Sequence, residues 1–383
     1  MENVESSSKG FFMTKLNVCL VSPLPPPYGG ISHWTSMVTK YASDRQDVAI
    51  AVVNTAPRWR SIHDTGVFMR SIGGGLQLIR DIGCLAGTLI LRRSDIVHLT
   101  TSGHLACMRD LVVSYVAAIF CIPVVYHIRF GRIPALAVSE SLEWRLIHWV
   151  MRRASVVVTI DQYTLRAVEH HAPGVNVVLI PNCVNSVEFS KPRDENRHGK
   201  TMLFVGWVVS TKGVGELIEA WAKVNPQDWK LEIVGPIDAI YREELLAQFR
   251  PERLEFVGEL PHAQAMERMA KCDLFVFPSY TEGFPNVVVE AMVLGKAIVA
   301  TDVGAIPEML ADGCGMLVKP RDVDGLVAAL SLLIADEHQR AIMGERASSR
   351  AAAKFSLESV FATYMSVWQE VAGVSKEIRG TSL

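Results

Sequence analysis

The feature that most constrains this chain is a twofold alternation. Six short apolar runs occupy the first half, LNVCLVS, DVAIAVVN, DIVHLT, IPVVYHI, SVVVTI and NVVLIP, and six more follow residue 200, TMLFVG, KLEIVG, LEFVG, DLFVFP, KAIVAT and GMLV. Runs of this length, rich in Val, Ile and Leu, fit strands buried on both faces, and the amphipathic stretches between several of them fit the crossovers of a parallel sheet. The expected fold class is therefore α/β, with two units each built on a parallel sheet with helices on both faces. Length agrees, since 383 residues exceed one ordinary core and 49% hydrophobic content lets each half bury an interior. A polar stretch, SKPRDENRHGK (190–200), reads as the linker. The expected units are 15–190 and 191–355. Residues 1–14 read as a disordered extension, and 356–383 as a helix of about Leu357 to Val374 followed by a tail.

In open parallel sheets, ligands sit beyond the carboxyl ends of the strands, so the informative residues follow the apolar runs. After the first run comes PLPPPYGGISHW, in which Gly29 and Gly30 let backbone approach a ligand before a helix begins. The dinucleotide pattern G-x-G-x-x-G is missing there, and Gly73-Gly74-Gly75 does not supply it. After DLFVFPS comes EGFPNVVVE, with Glu282 in the loop and Glu290 about one turn into a helix that starts near Pro285 or Asn286 and stops at Gly295. The first amides of that helix, around Asn286, Val287 and Val288, suit a phosphate through hydrogen bonds and the positive end of the helix dipole. On spacing alone, a glutamate near a helix start also fits a simple dipole partner.

Seven cysteines without a C-x-x-C pair speak against a disulfide framework and a structural zinc site, and point to a reducing cytosol. The net charge of −2 hides an asymmetry: residues 1–190 carry 17 Lys and Arg against 13 Asp and Glu, whereas 191–383 carry 21 against 27. The modest excess in the first half, including Arg80, Arg92, Arg93, Arg109, Arg152 and Arg153, suits an anionic surface or acceptor, or a solvated face, better than duplex nucleic acid. The most apolar stretch, from Leu111 to Tyr126, is too short to cross a bilayer and contains Pro123. It reads as a buried helix followed by a strand, and any membrane contact would be peripheral.

The segment FPSYTEGFPNVVVEAMVLGKAIVATDVGAIPEML resembles the signature of the retaining glycosyltransferases of family four (glycosyl transferases group 1), whose GT-B fold is two facing Rossmann-like domains. Its Glu, seven residues, Glu pattern is complete, as are Gly283, Phe284, Pro285, Asn286, Gly304 and Pro307-Glu308. The resemblance covers most of the chain and is weaker in the first half, where acceptors differ. It implies that 15–190 forms the acceptor side and 191–355 binds a UDP- or GDP-linked sugar donor, with the last helix packing back on the first domain. The segment FVGWVVSTKGVGELIEAW resembles the family's strand, loop and Lys-Gly turn, with Lys212 placed to neutralise a departing diphosphate. Members usually have Arg directly after the first Gly, where this chain has Trp207; indole brings no charge, and Arg129 in the facing domain is a substitute.

The resemblance further implies that Gly30 faces the donor phosphates and that His127, at the end of the fourth strand, lies near the transferred sugar. Glu282 would orient sugar hydroxyls and Glu290 the ribose. Gly283 and Phe284 would line the donor site, and the loops after Gly235-Pro236 and Gly258 would border the base through their backbone. His33, His98 and His104 lack the paired spacing of a metal site. Asp322-Val323-Asp324 has an Asp-x-Asp form but precedes GLVAALSLLI, where Asp reads as a helix N-cap. The expected function is metal-independent transfer of a hexose-type sugar, with no cofactor, to a carbohydrate or lipid-linked acceptor in polysaccharide or glycolipid biosynthesis. A GT-B epimerase or phosphorylase, or a non-catalytic nucleotide-sugar binder marked by Trp207, are the alternatives.

Overall fold

The computed structural model describes residues 15–26, 29–56, 67–185, 200–249 and 251–380, with side chains between 67 and 76 and beyond 373 left aside. The expected extension at 1–14 and all but Lys200 of the expected linker lie outside the described residues.

The first domain is built from β1 (Leu16–Ser22), α1 (Gly30–Ser43), β2 (Val48–Asn54), α2 (Val67–Arg92), β3 (Ile96–Thr101), α3 (Ala106–Ile119), β4 (Val124–Ile128), α4 (Ile133–Ser139), α5 (Leu142–Arg153), β5 (Val156–Thr159), α6 (Gln162–His171) and β6 (Val177–Leu179). The second contains β7 (Lys200–Val205), α7 (Val214–Val224), β8 (Trp229–Val234), α8 (Ala239–Phe249), β9 (Leu254–Gly258), α9 (His262–Lys271), β10 (Leu274–Phe277), α10 (Asn286–Val293), β11 (Ala297–Thr301), α11 (Ile306–Met309), β12 (Met316–Val318), α12 (Val323–Ala335) and α13 (Glu337–Lys354). The last helix is α14 (Leu357–Gly380).

Each domain holds a six-stranded sheet, ordered β2-β1-β3-β4-β5-β6 in the first and β12-β11-β10-β7-β8-β9 in the second. Every pairing is parallel. In both sheets the winding reverses once, between β1 and β3 and between β7 and β10, and such reversals open a crevice beyond the strand ends. The fold is thus two Rossmann-like domains of the GT-B type.

On one face of the first sheet, Leu85, Leu89, Val113, Ala117, Ile147 and Val150 of α2, α3 and α5 pack against Val97, Leu99 and Tyr126. On the other face, Trp34 and Val38 of α1 join Phe361, Tyr364 and Trp368 of α14 over Val18, Val125 and Val158. The chain therefore crosses between domains twice. The crossings lie side by side, since Val184 N–H donates to the Phe355 carbonyl (3.0 Å) and Leu357 N–H to the Val184 carbonyl (3.1 Å). The stretch expected to be a buried helix and strand forms α3 and β4, but only one face of α3 is buried.

Candidate active site

The two crevices face each other and form one cleft of about 720 Å³, within the range of small-molecule sites. From the second domain, β7 delivers Gly206 and Trp207, and the turn after it delivers Lys212. That turn ends at Gly213 in the left-handed region (φ 68°), where a Cβ would lie 2.0 Å from the Pro278 carbonyl oxygen; only glycine lets α7 start against the end of β10. The loop after β10 delivers Glu282, Gly283 and Phe284, and α10 delivers Asn286, Val287 and Glu290. From the first domain come Gly30, at the start of α1, and Arg129. A Cβ on Gly30 would meet no atom within 4 Å, so packing inside the chain does not demand glycine there.

Ten of the twelve residues singled out from the sequence line this cleft, and His127 and Val288 do not. His127 is fully buried behind Arg129. It lies on the β4 face covered by α1 and α14, with its ring 5.3 Å from Trp34 and 5.7 Å from Tyr364, so it does not reach a sugar in the cleft. The Val288 amide is likewise committed: it donates to the Pro285 carbonyl at 3.1 Å. Pro285, not Asn286, is the N-cap residue of α10.

Lys212 Nζ donates to Glu282 Oε1, joining the expected phosphate cation and sugar-binding carboxylate in a partly buried ion pair. The Lys212 ammonium also lies 5.5 Å from the centre of the Phe277 ring. Glu290, only 9% exposed, pairs through Oε1 with His262 Nε2 at 3.0 Å. His262 stands at the start of α9 and lines the cleft, as do Ala265 and Met266 from the same helix. Trp207 is 70% exposed at the cleft wall.

Arg129 connects the domains. Its Nη2 donates to Asn182 Oδ1 (2.6 Å), and Asn182 Nδ2 donates across the cleft to Asn286 Oδ1 (3.0 Å). The guanidinium lies 4.3 Å from the Trp34 ring centre, a cation–π contact. Behind it runs a polar chain. Trp368 Nε1 donates to His98 Nδ1 (2.9 Å), and His98 Nε2 meets His127 Nδ1 at 3.1 Å. Burial keeps both imidazoles neutral, holding His98 down at about 3 and His127 well below its usual value, with the Arg129 charge acting in the same direction.

The tautomers follow from the donor at the far end. Indole is a donor only, so neutral His98 carries its proton on Nε2 and gives it to His127 Nδ1, which leaves the His127 proton on Nε2. That nitrogen faces Arg129 Nη1 at 3.4 Å and has nothing with which to accept. Arg129 Nε has no hydrogen-bond partner, and no carboxylate pairs with Arg129 among the described residues. Burial pulls the guanidinium below its usual pKa, while its charge opposes the burial that pushes the neighbouring Cys183 thiol up to about 12. The result is a buried cation at the cleft with spare donors, which suits an anion.

Asp322 caps α12 by accepting from the Gly325 N–H at 2.8 Å. Among the described residues, no group of three or more His, Cys, Asp and Glu is placed to hold a metal ion.

Two facing Rossmann-like domains with a cation-bearing cleft between them define a GT-B protein. Residues 186–350, most of the second domain, match the model of the family glycosyl transferases group 1. The chain is 33% identical over 216 residues to a phosphatidyl-myo-inositol mannosyltransferase of Mycolicibacterium smegmatis, covering 54% of this chain and 55% of that one. It is 30% identical over 197 residues to an MMP alpha-(1->4)-mannosyltransferase of Mycolicibacterium hassiacum, covering 50% and 48%. The chain thus spans about half the length of these curated relatives. Among solved structures it resembles sucrose-phosphate synthase of Thermosynechococcus elongatus, with a TM-score of 0.74, 17% identity, and 94% and 100% of the two chains covered. It also resembles HepE of Anabaena in complex with UDP and glucose, with a TM-score of 0.70, 19% identity, and 93% and 100% covered.

Proposed function

We propose that the protein is a retaining glycosyltransferase of family four, moving a hexose-type sugar from a UDP- or GDP-linked donor to a hydroxyl of a carbohydrate or lipid-linked acceptor in polysaccharide or glycolipid biosynthesis. The observation that carries this reading is the meeting of Lys212, Glu282, Glu290 and the amino end of α10 beyond β7 and β10, where the second sheet reverses. A diphosphate seated there meets the Lys212 ammonium and the Asn286 and Val287 amides, and Glu290 with His262 receives the ribose. The named activities of the mycobacterial relatives and the UDP and glucose of the HepE complex are consistent with this donor class.

The chemistry asks for stabilisation of a leaving group. The bond from the anomeric carbon to the diphosphate oxygen breaks with its electron pair going to the phosphate. The acceptor oxygen bonds the same face of the carbon, and its proton passes to that phosphate oxygen, so no protein nucleophile is needed. Lys212, the helix amides and Arg129 would supply the stabilising charge without a metal ion. Water exclusion by the facing domain limits hydrolysis of the donor.

The test is a screen of nucleoside diphosphate sugars for protection against thermal unfolding, followed by transfer assays in excess chelator with the product anomer read by NMR. A protected donor transferred with retention under chelation is expected. Binding with neither transfer nor hydrolysis would overturn the enzymatic reading, and activity restored only by manganese or magnesium would overturn the metal-free mechanism.

A further inference from the structure

We propose that the outer surface of α2, α3 and α5 docks the protein onto an anionic lipid bilayer. The layer these helices form covers the first sheet with its inner side, yet its outer side is apolar too. On α3 and the residue before it, Leu105, Met108, Tyr115 and Ile119 face solvent at helical spacing, with Leu105 79% and Ile119 77% exposed. The only charged residues of α3, Arg109 and Asp110, pair with each other at the inner side. Ile90 and Leu91 on α2 and Leu142 and Trp149 on α5 extend the surface. A helix apolar on every side expects a second apolar phase. The helices of the second domain show no such set; its exposed large apolar residues on helices are Ile240 and Leu332 among the described residues.

Charge identifies the occupant. All three helices are crossovers in a parallel sheet, so they run against the strands and their carboxyl ends gather at one end of the layer. That end carries exposed Arg92, Arg93, Arg152 and Arg153, with Arg145 one turn before Trp149. Arg153 stacks 4.2 Å from the Tyr115 ring centre, and Tyr115 packs edge-on to Trp149. Aromatic rings and arginines beside an aliphatic surface match the headgroup level of a bilayer with acidic lipids. Among the described residues no helix is long and apolar enough to cross a membrane, so the contact lies in the plane of the surface.

The opposite end of the patch reaches the cleft. Gly103, just before Leu105, packs against the ring of Phe130, which lines the cleft. Docking through this surface sets the cleft mouth beside the bilayer, where an acceptor hydroxyl on a lipid would be presented. This last step rests on the proposed activity; the docking itself does not.

The experiment is co-sedimentation of the full chain with vesicles of phosphatidylcholine alone, or mixed in equal parts with phosphatidylglycerol, without any sugar donor. Binding is expected only to the mixed vesicles and should weaken as salt rises. Each arginine withdrawn from an acidic surface costs about five-fold in partition, so R152E/R153E should bind at least about 25-fold more weakly. L105D/I119D should also detach, and both variants should keep the native unfolding midpoint. Equal binding to both vesicle types, or native-like binding by both variants, overturns the proposal. So does a dimer in sedimentation velocity that these variants dissociate while vesicles bind nothing.

Discussion

Gly131→Ala is the sharpest perturbation the structure offers, because it places one methyl group between the domains. Gly131 follows β4 in the first domain and meets the 282–283 loop of the second. An added Cβ would lie 2.8 Å from Gly283 Cα, 2.9 Å from the Glu282 carbonyl oxygen and 3.1 Å from Gly283 N. Ordinary contact starts near 3.4 Å, so the loops must part by roughly 0.6 Å. All three clashing atoms are backbone and cannot rotate away. Gly131 is not in the left-handed region, so alanine strains neither its own backbone nor either core. The cost falls on how closely the domains approach.

On the proposed reading, separation of this size at the Glu282 loop would misplace the transferred sugar against groups of the facing domain. A misplacement near 1 Å costs on the order of 100-fold in rate, about 2.7 kcal/mol of barrier. The expected result is a kcat lowered about 10- to 100-fold, with Gly131→Val lower still. Affinity for the free nucleoside diphosphate, which the proposed reading places on the second domain, should change less than about two-fold, and the unfolding midpoint by no more than about 2 °C. Steady-state transfer kinetics, calorimetric titration and thermal unfolding measure the three quantities. Native turnover in Gly131→Ala with an intact fold would refute the reasoning, because it would mean that the loops need not meet during catalysis.

Glu290→Gln should weaken nucleoside diphosphate binding by about 1 to 3 kcal/mol through loss of charged hydrogen bonds; native affinity in calorimetry with the fold intact would remove the ribose assignment. Arg129→Ala should lower turnover about 10- to 1000-fold, and Trp207→Arg in that background should recover part of it if both positions reach the same phosphates. Near-normal turnover in Arg129→Ala would end that idea. The buried histidines predict acid sensitivity. Their folded pKa values lie below the ordinary 6.5, to about 3 for His98. Their contribution is therefore complete above pH 6.5 and is lost as pH falls toward the folded values, by up to about 1.4 kcal/mol per pH unit for each ring. Denaturant unfolding between pH 7 and 4.5 should show a shallower slope in His98→Gln, and an unchanged slope would contradict it.

Much of this was legible in the sequence because parallel strands carry their signal locally. Each apolar run contains its own burial pattern, and all twelve strands fall within those runs or overlap them. The cleft loops were legible for a related reason: they follow the strand ends, which places Trp207, Lys212 and Glu282 together once the sheet order is known. Side-chain direction was less accessible. Along β4, Val124, Tyr126 and Ile128 point into the α2, α3 and α5 layer, while Val125 points to the α1 and α14 side. His127 shares the second side, where α1 and α14 cover it, the latter from the far end of the chain. No local pattern announces that cover. The pairing of His262 with Glu290 is equally silent, since the two come from different helices 28 positions apart. The outer face of α3 misled in another way, because an apolar stretch reads as buried whether its second face meets protein or something else.

The missing arginine at Trp207 takes on a structural meaning through this hidden chemistry. Because Trp368 fixes the His98 tautomer and His98 fixes that of His127, His127 offers Arg129 no acceptor. Asn182 Oδ1 accepts from Arg129, which leaves the Asn182 amide to donate to Asn286 at the start of α10. A cation carried by the second domain would meet the diphosphate whether the cleft were open or closed. A cation carried by the first domain meets it only when the domains close to the separation that Gly131 and Gly283 permit. On the proposed reading, moving the charge from position 207 to Arg129 couples leaving-group stabilisation to closure. Donor cleavage would then wait until water has been excluded, and losing Arg129 should slow transfer and wasteful hydrolysis together.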